Sequence, residues 1–275
     1  MPLKTLFVRV RWAVGWREWP EGDDPPPAVG RDGAGLDAGL SVAFPSGRRI
    51  SIIVPALNEA EGMAAALAAL QPLRGRGHEV IVVDGGSSDE TRALATAGAD
   101  RVAVAPRGRA SQMNAGAALA GGDVLLFLHA DTRLPANADE QILQGLGSSG
   151  RAWGRFDVSI EGGSALLPLV ARLMNLRSRA TGIATGDQAM FVERRAFARA
   201  GGYPPLELME DVALSRLLKR VSAPVCLRGK AVTSGRRWER RGVLRTILLM
   251  WWLRLRFFLG AAPAHLARLY DRERG

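Results

Sequence analysis

Three short polar segments, each directly after an apolar run, contain the residues best suited to hold a phosphorylated ligand. They are residues 55–59 (PALNE), 84–89 (DGGSSD) and 129–132 (HADT). The carboxylate of Asp84 can accept hydrogen bonds from a base or a ribose, and Gly85 and Gly86 let the backbone come close to a ligand. The carboxylate of Asp131 can hold Mg²⁺ or Mn²⁺, which also bridges phosphate oxygens. For Asp84 considered alone, turn chemistry is the alternative.

Two arginines and one acidic pair extend this set. Arg107 and Arg109 lie at the start of a predicted helix, where a guanidinium can pair with a diphosphate and the helix N-terminus adds a positive dipole. Solvated surface arginines are the alternative. Glu210 and Asp211 begin another predicted helix, so they are either reactive carboxylates or acids that the helix dipole favours. No G-x-G-x-x-G follows the first strand and no G-x-x-x-x-G-K-[ST] occurs, so dinucleotide-binding and P-loop interpretations lose their main support.

Alternating strand and helix patterns position these residues. Residues 50–54 are nearly all apolar, rich in β-branched side chains and followed by Pro55, as expected of a strand buried on both faces. Further strands are predicted at 79–83, 101–105 and 124–128, with helices at 58–70, from 87 onward and at 110–120. The alternation predicts right-handed crossovers and a parallel sheet covered by helices. Ligands bind outside the carboxyl ends of such strands, so the three polar segments should converge on one edge.

The second half of the chain is less regular. Strands are predicted at 152–160, at 188–193 and within 224–232. Helices are predicted at 164–179, at 209–221 and, in two pieces separated near Pro263, over 243–270. We therefore expect an α/β fold with a Rossmann-like, mostly parallel sheet flanked by helices. A mixed sheet edge and C-terminal helices would complete it.

Composition divides the chain into three parts. Residues 1–48 contain Pro-, Gly- and Asp-rich stretches without lasting periodicity, so a poorly ordered extension is predicted there. Residues 49–240 should form the main domain. Residues 241–275 should form basic, apolar C-terminal helices.

The net charge points to an anionic partner. The formal charge is +10, and residues 236–275 contain 10 arginines against three acidic residues. Phosphorylated substrates, an acidic membrane face and nucleic acid would all suit this excess. Nucleic acid is disfavoured because the basic run lacks interleaved aromatic and basic groups on a recognisable module. Cys226 is the only cysteine, so no intrachain disulfide can form and a cytoplasmic location is the simple expectation.

The last apolar stretch is interrupted by cations. No uncharged apolar run reaches the roughly 18 residues of a membrane-spanning helix, because Arg245, Arg254 and Arg256 interrupt the nearest candidate, residues 243–262. On a helical projection Arg245 and Arg256 share a face and Arg254 lies opposite, which makes an imperfect amphipathic helix. This helix could rest on an anionic bilayer at the inner face of the membrane, pack on its own domain, or join a second subunit.

Three segments together carry a family resemblance. Residues 51–59 (SIIVPALNE), 82–91 (VVDGGSSDET) and 126–132 (LFLHADT) resemble the first-strand, second-strand and metal-binding segments of glycosyltransferase family 2. The resemblance, over about residues 50–238, implies a GT-A-type fold, a nucleotide-diphospho-sugar donor, a divalent metal (Mn²⁺ or Mg²⁺) and usually inversion at the anomeric carbon. The chain looks most like small bacterial members found beside radical-enzyme and selenium-related genes. The donor half would be residues 49–135 and the acceptor half residues 136–240.

The resemblance assigns the donor site to the carboxyl edge of the sheet. Asp84 would contact the nucleobase or ribose, and Asp131 would be the main carboxylate ligand of the metal. His129 stands where the family has the first Asp of D-x-D, although imidazole suits softer metals. It could ligate the metal, bond a phosphate, or simply pack at the strand end. The candidate donor-site residues are Pro55, Ala56, Asn58, Glu59, Asp84, Gly85, Ser87, Asp89, Arg107, Arg109, Asn114, His129, Ala130 and Asp131.

The resemblance also assigns the chemistry at the acceptor, whose identity it leaves open. Glu210 and Asp211 match the family's E-D pair, so Asp211 would take the proton of the acceptor hydroxyl and Glu210 would support it. Ser234 replaces the Gln of the Q-x-x-R-W element of processive members, so processive synthesis is not expected. Candidate acceptor or diphosphate residues are Trp153, Arg155, Asp187, Gln188, Arg237 and Trp238. The alternative function is a non-catalytic membrane-surface or scaffold protein that keeps the fold.

Overall fold

The computed structural model describes residues 47–272, except the side chains of Arg237, Arg240, Arg241, Asp271 and Arg272. The predicted N-terminal extension therefore lies outside the described residues, apart from its last two positions. The strands are β1 (Ile50–Ala56), β2 (Glu79–Asp84), β3 (Arg101–Val104), β4 (Val124–Phe127), β5 (Thr132–Arg133), β6 (Trp153–Glu161), β7 (Phe191–Glu193) and β8 (Val225–Ser234). They form one sheet in the order β3-β2-β1-β4-β7-β6-β8-β5.

The first half of the sheet is parallel and the second half is mixed. β3, β2, β1 and β4 are parallel neighbours, as the alternating pattern predicted. β7 then pairs antiparallel with both β4 and β6, β8 runs parallel to β6, and β5 pairs antiparallel with β8. The α/β class is confirmed. The sheet is more mixed than predicted, because β7 joins the Rossmann-like half in the opposite direction.

Helices cover both faces of the sheet. They are α1 (Ala60–Gly75), α2 (Thr91–Gly98), α3 (Arg109–Leu119), α4 (Ala138–Ser149), α5 (Leu167–Thr181), α6 (Arg194–Arg199), α7 (Glu210–Leu218), α8 (Arg236–Arg241), α9 (Val243–Phe258) and α10 (Pro263–Arg272). The sequence interpretation missed α4, α6, α8 and β5. It also placed Gln188 in a strand, whereas residues 186–188 form a 3₁₀ turn and the strand begins only at Phe191.

The central strands are buried on both sides because successive side chains enter different cores. In β1, Ile52 and Val54 join one apolar cluster with α1, while Ile53 joins a second cluster with α3. Alternate side chains point to opposite faces of a strand, so a continuous apolar run is what two covered faces require. α3 approaches β1 closely at Gly116, where a Cβ would lie 2.4 Å from Cγ2 of Ile53.

The C-terminal helices pack on their own domain. Leu253 of α9 and Leu266 of α10 form a buried cluster with Met209 and Val212 at the start of α7. The predicted pair of helices near Pro263 is confirmed. Among residues 47–272, no helix is both long and apolar enough to cross a membrane.

Candidate active site

The carboxyl ends of β1 and β4 open onto two adjoining cavities. The first, which we name the polar cavity, has a volume of about 450 Å³. The second, which we name the helical cavity, has a volume of about 390 Å³. The residues common to both walls are Arg109, His129, Asp131, Leu208 and Tyr270. The predicted metal-binding segment therefore stands at the junction between the two spaces.

The polar cavity brings together much of the predicted donor site. The predicted donor-site residues that line it are Pro55, Ala56, Glu59, Arg107, Arg109, His129, Ala130 and Asp131. α3 begins directly after Gly108, whose φ of 134° suits glycine. The helix N-terminus therefore adjoins this cavity together with both arginines. Such a terminus favours a bound anion.

Gln112 is a wall residue that the sequence interpretation missed. Its buried Nε2 donates to the carbonyl oxygens of Ala56 (2.7 Å) and Val83 (2.8 Å). Gly85 permits this contact, because a Cβ there would lie 3.0 Å from Gln112 Nε2. Gln112 thereby fixes α3 to the ends of β1 and β2. A glutamine next to Met113, among the apolar and small residues that α3 buries, is the signal that could have identified it.

Asp84 lies at the predicted strand end but is turned into its own loop. The side chain is 2% exposed and is not among the lining residues of either cavity. Its carboxylate accepts the backbone amides of Gly86 and Ser87, each at 3.0 Å, and also the Ser87 hydroxyl. The turn interpretation accounts for Asp84 in this structure. A ligand contact at Asp84 stays a prediction.

The other predicted residues of these two loops brace them against each other. The amide of Asn58 donates to Ser87 Oγ (2.9 Å), and the amide of Ser88 donates to Asn58 Oδ1 (2.9 Å). Asp89 Oδ2 accepts the amide of Ala60 (3.2 Å) at the start of α1. Asp89 is therefore the side chain that bonds an open amide at the start of this helix.

Asn114 does not face the polar cavity, contrary to prediction. Its Nδ2 donates to the carbonyl of Tyr203 (2.8 Å) and its Oδ1 accepts the amide of the same residue (2.9 Å). The nitrogen and the oxygen of the side-chain amide are both used in these two hydrogen bonds, which tie α3 to the loop after α6. The side chain points to this neighbouring loop rather than to the strand ends.

His129 and Asp131 offer limited ligation for a metal ion. His129 Nδ1 lies 3.3 Å from Asp187 Oδ1, and Gly186 leaves room for the ring, because a Cβ there would lie 2.3 Å from His129 Nε2. Within the described chain, no group of three or more His, Cys, Asp or Glu residues is arranged to hold a metal. Mg²⁺ commonly uses one or two carboxylates together with substrate phosphates and water. The set therefore fits an ion shared with a phosphorylated ligand.

Glu210 and Asp211 line the helical cavity at the start of α7. Asp211 accepts the amides of Gly186 (Oδ2, 2.9 Å) and Val212 (Oδ1, 2.7 Å), which fix its orientation. Glu210 is only 4% exposed, and burial together with the neighbouring charge of Asp211 raises its pKa to about 7. Arg109 Nη1 lies 4.0 Å from Glu210 Oε1 and partly offsets this effect.

Among the predicted acceptor residues whose side chains the structure describes, Asp187 and Trp238 line the helical cavity and the other three do not. Trp153 is buried in the core and donates from Nε1 to the carbonyl of Ser222 (2.9 Å). Arg155 is fully buried in an ion pair with Asp157.

Gln188 is buried as well, with its Nε2 3.3 Å from Asn175 Oδ1. Contrary to prediction, Trp153, Arg155 and Gln188 do not line the cavity, because both faces of β6 are covered and Gln188 is buried, although its neighbour Asp187 lines the wall. Arg237 lies on α8, but its side chain is outside the described part of the structure.

Two helices that the sequence interpretation did not assign to the site form much of the remaining wall of the helical cavity. α5 and α9 contribute Val170, Leu173, Met174, Leu176, Ile247, Met250 and Trp251, and also Arg177 and Arg254. Arg254 is the arginine that lies opposite Arg245 and Arg256 on the helical projection. That break in amphipathicity was the signal that could have identified this wall.

More than half of the chain is similar in sequence to a known protein family. Residues 51–199, just over half of the chain, match the family model described as "Glycosyl transferase family 2". Glucosyl-3-phosphoglycerate synthase of Mycobacterium tuberculosis is 32% identical over 142 residues, which cover 48% of this chain and 36% of the relative. An uncharacterized glycosyltransferase of the same organism is 33% identical over 92 residues, covering 33% of this chain and 40% of the relative. The matched part spans only 36–40% of these two relatives.

Solved structures show the same architecture. Residues 1–349 of S. aureus TarS, in complex with UDP-GlcNAc, superpose with a TM-score of 0.56 at 16% identity, covering 68% of this chain and 59% of that one. The glucosyl-3-phosphoglycerate synthase of Mycobacterium tuberculosis, in complex with Mn²⁺, UDP and phosphoglyceric acid, gives a TM-score of 0.53 at 20% identity. That match covers 74% of this chain and 77% of the other. At these identities the likeness concerns the fold.

Proposed function

The chain belongs to glycosyltransferase family 2 and has the GT-A-type fold, and we propose that it transfers a sugar from a nucleotide-diphosphate donor to an acceptor hydroxyl. One observation supports this most directly. The polar cavity beside the N-terminus of α3 meets the helical cavity containing Glu210 and Asp211, and Asp131 lies in both walls. A donor in the first space would present its anomeric carbon to an acceptor in the second.

The donor diphosphate would lie at the junction of the two cavities. Arg107 and Arg109 can pair with its oxygens, supported by the N-terminus of α3. A bound Mn²⁺ or Mg²⁺, held by Asp131 together with donor oxygens, would neutralise charge on the departing diphosphate. The solved relative described above contains Mn²⁺ together with UDP, which supports the choice of ion and nucleotide. We propose that Asp84 contacts the nucleoside of the donor while its carboxylate also accepts the hydrogen bonds of its own turn.

Asp211 is proposed as the base of a single, inverting displacement. The acceptor oxygen forms a bond to the anomeric carbon as the bond from that carbon to the diphosphate oxygen breaks. The electron pair leaves with the diphosphate, and the hydroxyl proton passes to Asp211. The two backbone amides that donate to Asp211 hold its carboxylate in place. Glu210 would support it and balance the charge of Arg109.

Calorimetry of nucleotide binding tests the donor site. We expect UDP or GDP to bind in the presence of Mn²⁺, and Asp131→Asn to weaken that binding at least about tenfold, as loss of a charge-assisted ligand contact predicts. Asp123→Asn, at an exposed position at the start of β4, is the matched control and should leave binding unchanged. Failure of both nucleotides to bind the wild-type chain would overturn the proposal. Donor binding without any hydrolysis or transfer would instead favour the non-catalytic alternative.

We also propose that the outer face of α5 and α9 rests on an anionic bilayer at the inner side of the cell membrane. The large exposed apolar side chains on these two helices and directly before α5 are Leu166, Leu169, Leu173, Leu176, Leu244, Leu248, Trp251, Trp252, Leu255 and Phe258. Exposed arginines at 172, 245 and 256 accompany them. An apolar face accompanied by cations suits an anionic membrane surface, where arginines can snorkel.

Sedimentation with vesicles tests this surface. Vesicles of phosphatidylglycerol should bind the chain, and vesicles of phosphatidylcholine should bind it more weakly. Leu244→Asp with Leu248→Asp should abolish binding, whereas Leu119→Asp, at the last residue of α3 and 38% exposed, should not. Equal binding of the wild type and the double variant would contradict the proposal. A stable dimer in analytical ultracentrifugation that the same double variant dissociates would favour a second copy instead.

A further inference from the structure

The wall formed by α5 and α9 contains two guanidinium groups that the proposed transfer does not use. Arg177 belongs to α5 and Arg254 to α9, and both line the helical cavity. In the part of the chain that the structure describes, Nε and Nη2 of Arg177 and Nε of Arg254 are buried without a hydrogen-bond partner. A buried donor without a partner is unfavourable, so three such donors in one cavity wall indicate a missing acceptor group.

The two arginines remain positively charged despite their burial. Burial, and then the like charge of Arg254, lowers the pKa of Arg177 to about 10. Burial also lowers the pKa of Arg254. A group with a pKa of about 10 still holds its proton at neutral pH, and guanidinium is the most persistent of the protein cations. The wall therefore presents two neighbouring positive charges to the cavity.

The acidic residues of the cavity are engaged elsewhere. Asp211 accepts two backbone amides, at 2.9 and 2.7 Å. Glu210 faces Arg109 at 4.0 Å, and Asp187 faces His129 at 3.3 Å. Asp211 and Asp187 are near enough to act on both arginines through space, but neither bonds the orphaned nitrogens. The unmet requirement is for oxygen acceptors with negative charge on the helix side of the cavity.

The rest of that side is apolar and leads outward. Val170, Met174, Ile247 and Met250 line the cavity beside the arginines. Leu173, Leu176 and Trp251 line it too, yet they are 47%, 62% and 63% exposed, so they form its rim. A ligand that satisfied the arginines would therefore have an apolar path from the cavity to the surface of α5 and α9. A small, fully polar anion would leave this path uncovered.

From these contacts we propose that the acceptor is an amphipathic phosphate that carries the reacting hydroxyl: a phosphate group paired with Arg177 and Arg254, and a hydrocarbon part lying along α5 and α9. A phosphate offers several oxygens and up to two charges, which match two guanidinium groups better than one carboxylate does. The inference rests on the proposed function. The transfer step is unchanged: the acceptor hydroxyl still gives its proton to Asp211, and the electron pair of the broken bond still leaves with the nucleoside diphosphate.

Calorimetry of the full-length chain with dodecyl phosphate, below its micelle concentration, tests the inference. We expect dodecyl phosphate to bind about a hundredfold more tightly than inorganic phosphate, because its chain buries apolar surface. We expect it to bind about tenfold more tightly than dodecanol, because only the phosphate pairs with the arginines. Phosphoglyceric acid, a small polar anion, should bind more weakly than dodecyl phosphate. Binding of dodecyl phosphate no tighter than that of any one of these three compounds would overturn the proposal.

Variants separate the arginines from a general charge effect. Arg177→Gln and Arg254→Gln should each weaken dodecyl phosphate binding about tenfold or more. Arg92→Gln on α2 and Arg199→Gln on α6 remove exposed charges away from both cavities and from the face of α5 and α9 and should leave it unchanged. Equal weakening by all four would show that only net charge matters and would refute the site. Arg177→Lys, which keeps the charge but not the planar donor set, should give an intermediate loss, and thermal unfolding verifies that each variant is folded.

The acceptor inference and the proposed function can fail separately. UDP binding with Mn²⁺ is measured on the same preparations and should be unaffected by Arg177→Gln. If UDP binds but dodecyl phosphate does not, the acceptor inference is wrong and the proposed function stands. If UDP does not bind the wild type, the proposed function is wrong, and the acceptor role falls with it.

Discussion

Glu210 should reduce the stability of the folded chain at neutral pH, and its replacement by glutamine should restore that stability. The carboxyl is almost fully buried beside Asp211, and its pKa rises from the ordinary 4.5 to about 7. The folded chain therefore binds more protons than the unfolded chain between these two pH values. The free energy of unfolding must then fall as the pH rises through this window. Glutamine has nearly the same shape and cannot ionise, so Glu210→Gln should lack this fall.

The size of the effect follows from the pKa. At about 1.4 kcal/mol per pKa unit, a rise from 4.5 to about 7 corresponds to about 3 kcal/mol once the carboxyl is fully ionised. Most of this is present by pH 8, whereas only about 1 kcal/mol is expected at pH 5. The charge of Arg109 lowers the pKa of Glu210, and the value of about 7 already includes this effect, so the loss of the Arg109 contact in the variant needs no separate correction.

Urea unfolding of the metal-free and nucleotide-free chain at pH 5 and pH 8 measures this difference. The stability gained by Glu210→Gln should be larger at pH 8 than at pH 5 by about 2 kcal/mol. Glu140→Gln, at an exposed position on α4, makes the same chemical change on the surface and should show no comparable pH dependence. If the variant gains the same stability at both pH values, or is less stable than the wild type at pH 8, ionisation of Glu210 does not destabilise the folded chain and the prediction is wrong.

Three further outcomes follow from the structure. Asp211→Asn should lower donor hydrolysis by about 10²–10⁴-fold, the usual contribution of a general base, while UDP binding measured by calorimetry persists; retained hydrolysis would exclude Asp211 as the base. Gly116→Ala should lower the free energy of unfolding in a urea titration by about 1–3 kcal/mol, because its methyl group would meet Ile53 at 2.4 Å. The control Gly62→Ala, on α1 with nothing within 4 Å of the added methyl group, should be neutral or stabilising. Asn114→Ala should lower the melting temperature but leave the affinity for UDP within about twofold, because its two hydrogen bonds to the backbone hold the fold. A large loss of UDP affinity with an unchanged melting temperature would instead support the predicted role of Asn114 in the donor site.

The donor half of the fold could be predicted because its signals are local. β1 and β2 are short apolar runs ended by polar turns, and parallel pairing then brings Ala56 beside Asp84. The same logic placed His129 and Asp131 near them, at the end of β4. It could not show that Asp84 bonds its own turn, because the direction of one carboxylate depends on the conformation of the three residues after it.

The acceptor half could not be predicted equally well because its contacts are distant in sequence. Trp153 and Arg155 belong to a strand covered on both faces, and a short run does not reveal which neighbour covers each face. Arg177 and Arg254 are 77 positions apart, and only tertiary packing brings their helices to one cavity. The resemblance to a family placed Asp211, but it contained no information about the helical wall.

The shared wall between the two cavities has a thermodynamic consequence. Asp131, His129 and Tyr270 belong to both cavities, so an occupant of one space changes the surface that an occupant of the other meets. Thermodynamic linkage then requires reciprocity. If a bound nucleotide changes the affinity for the second ligand by some factor, that ligand changes the affinity for the nucleotide by the same factor. Two molecules that never touch before the reaction would thus already affect each other's binding through the five side chains that both cavities share.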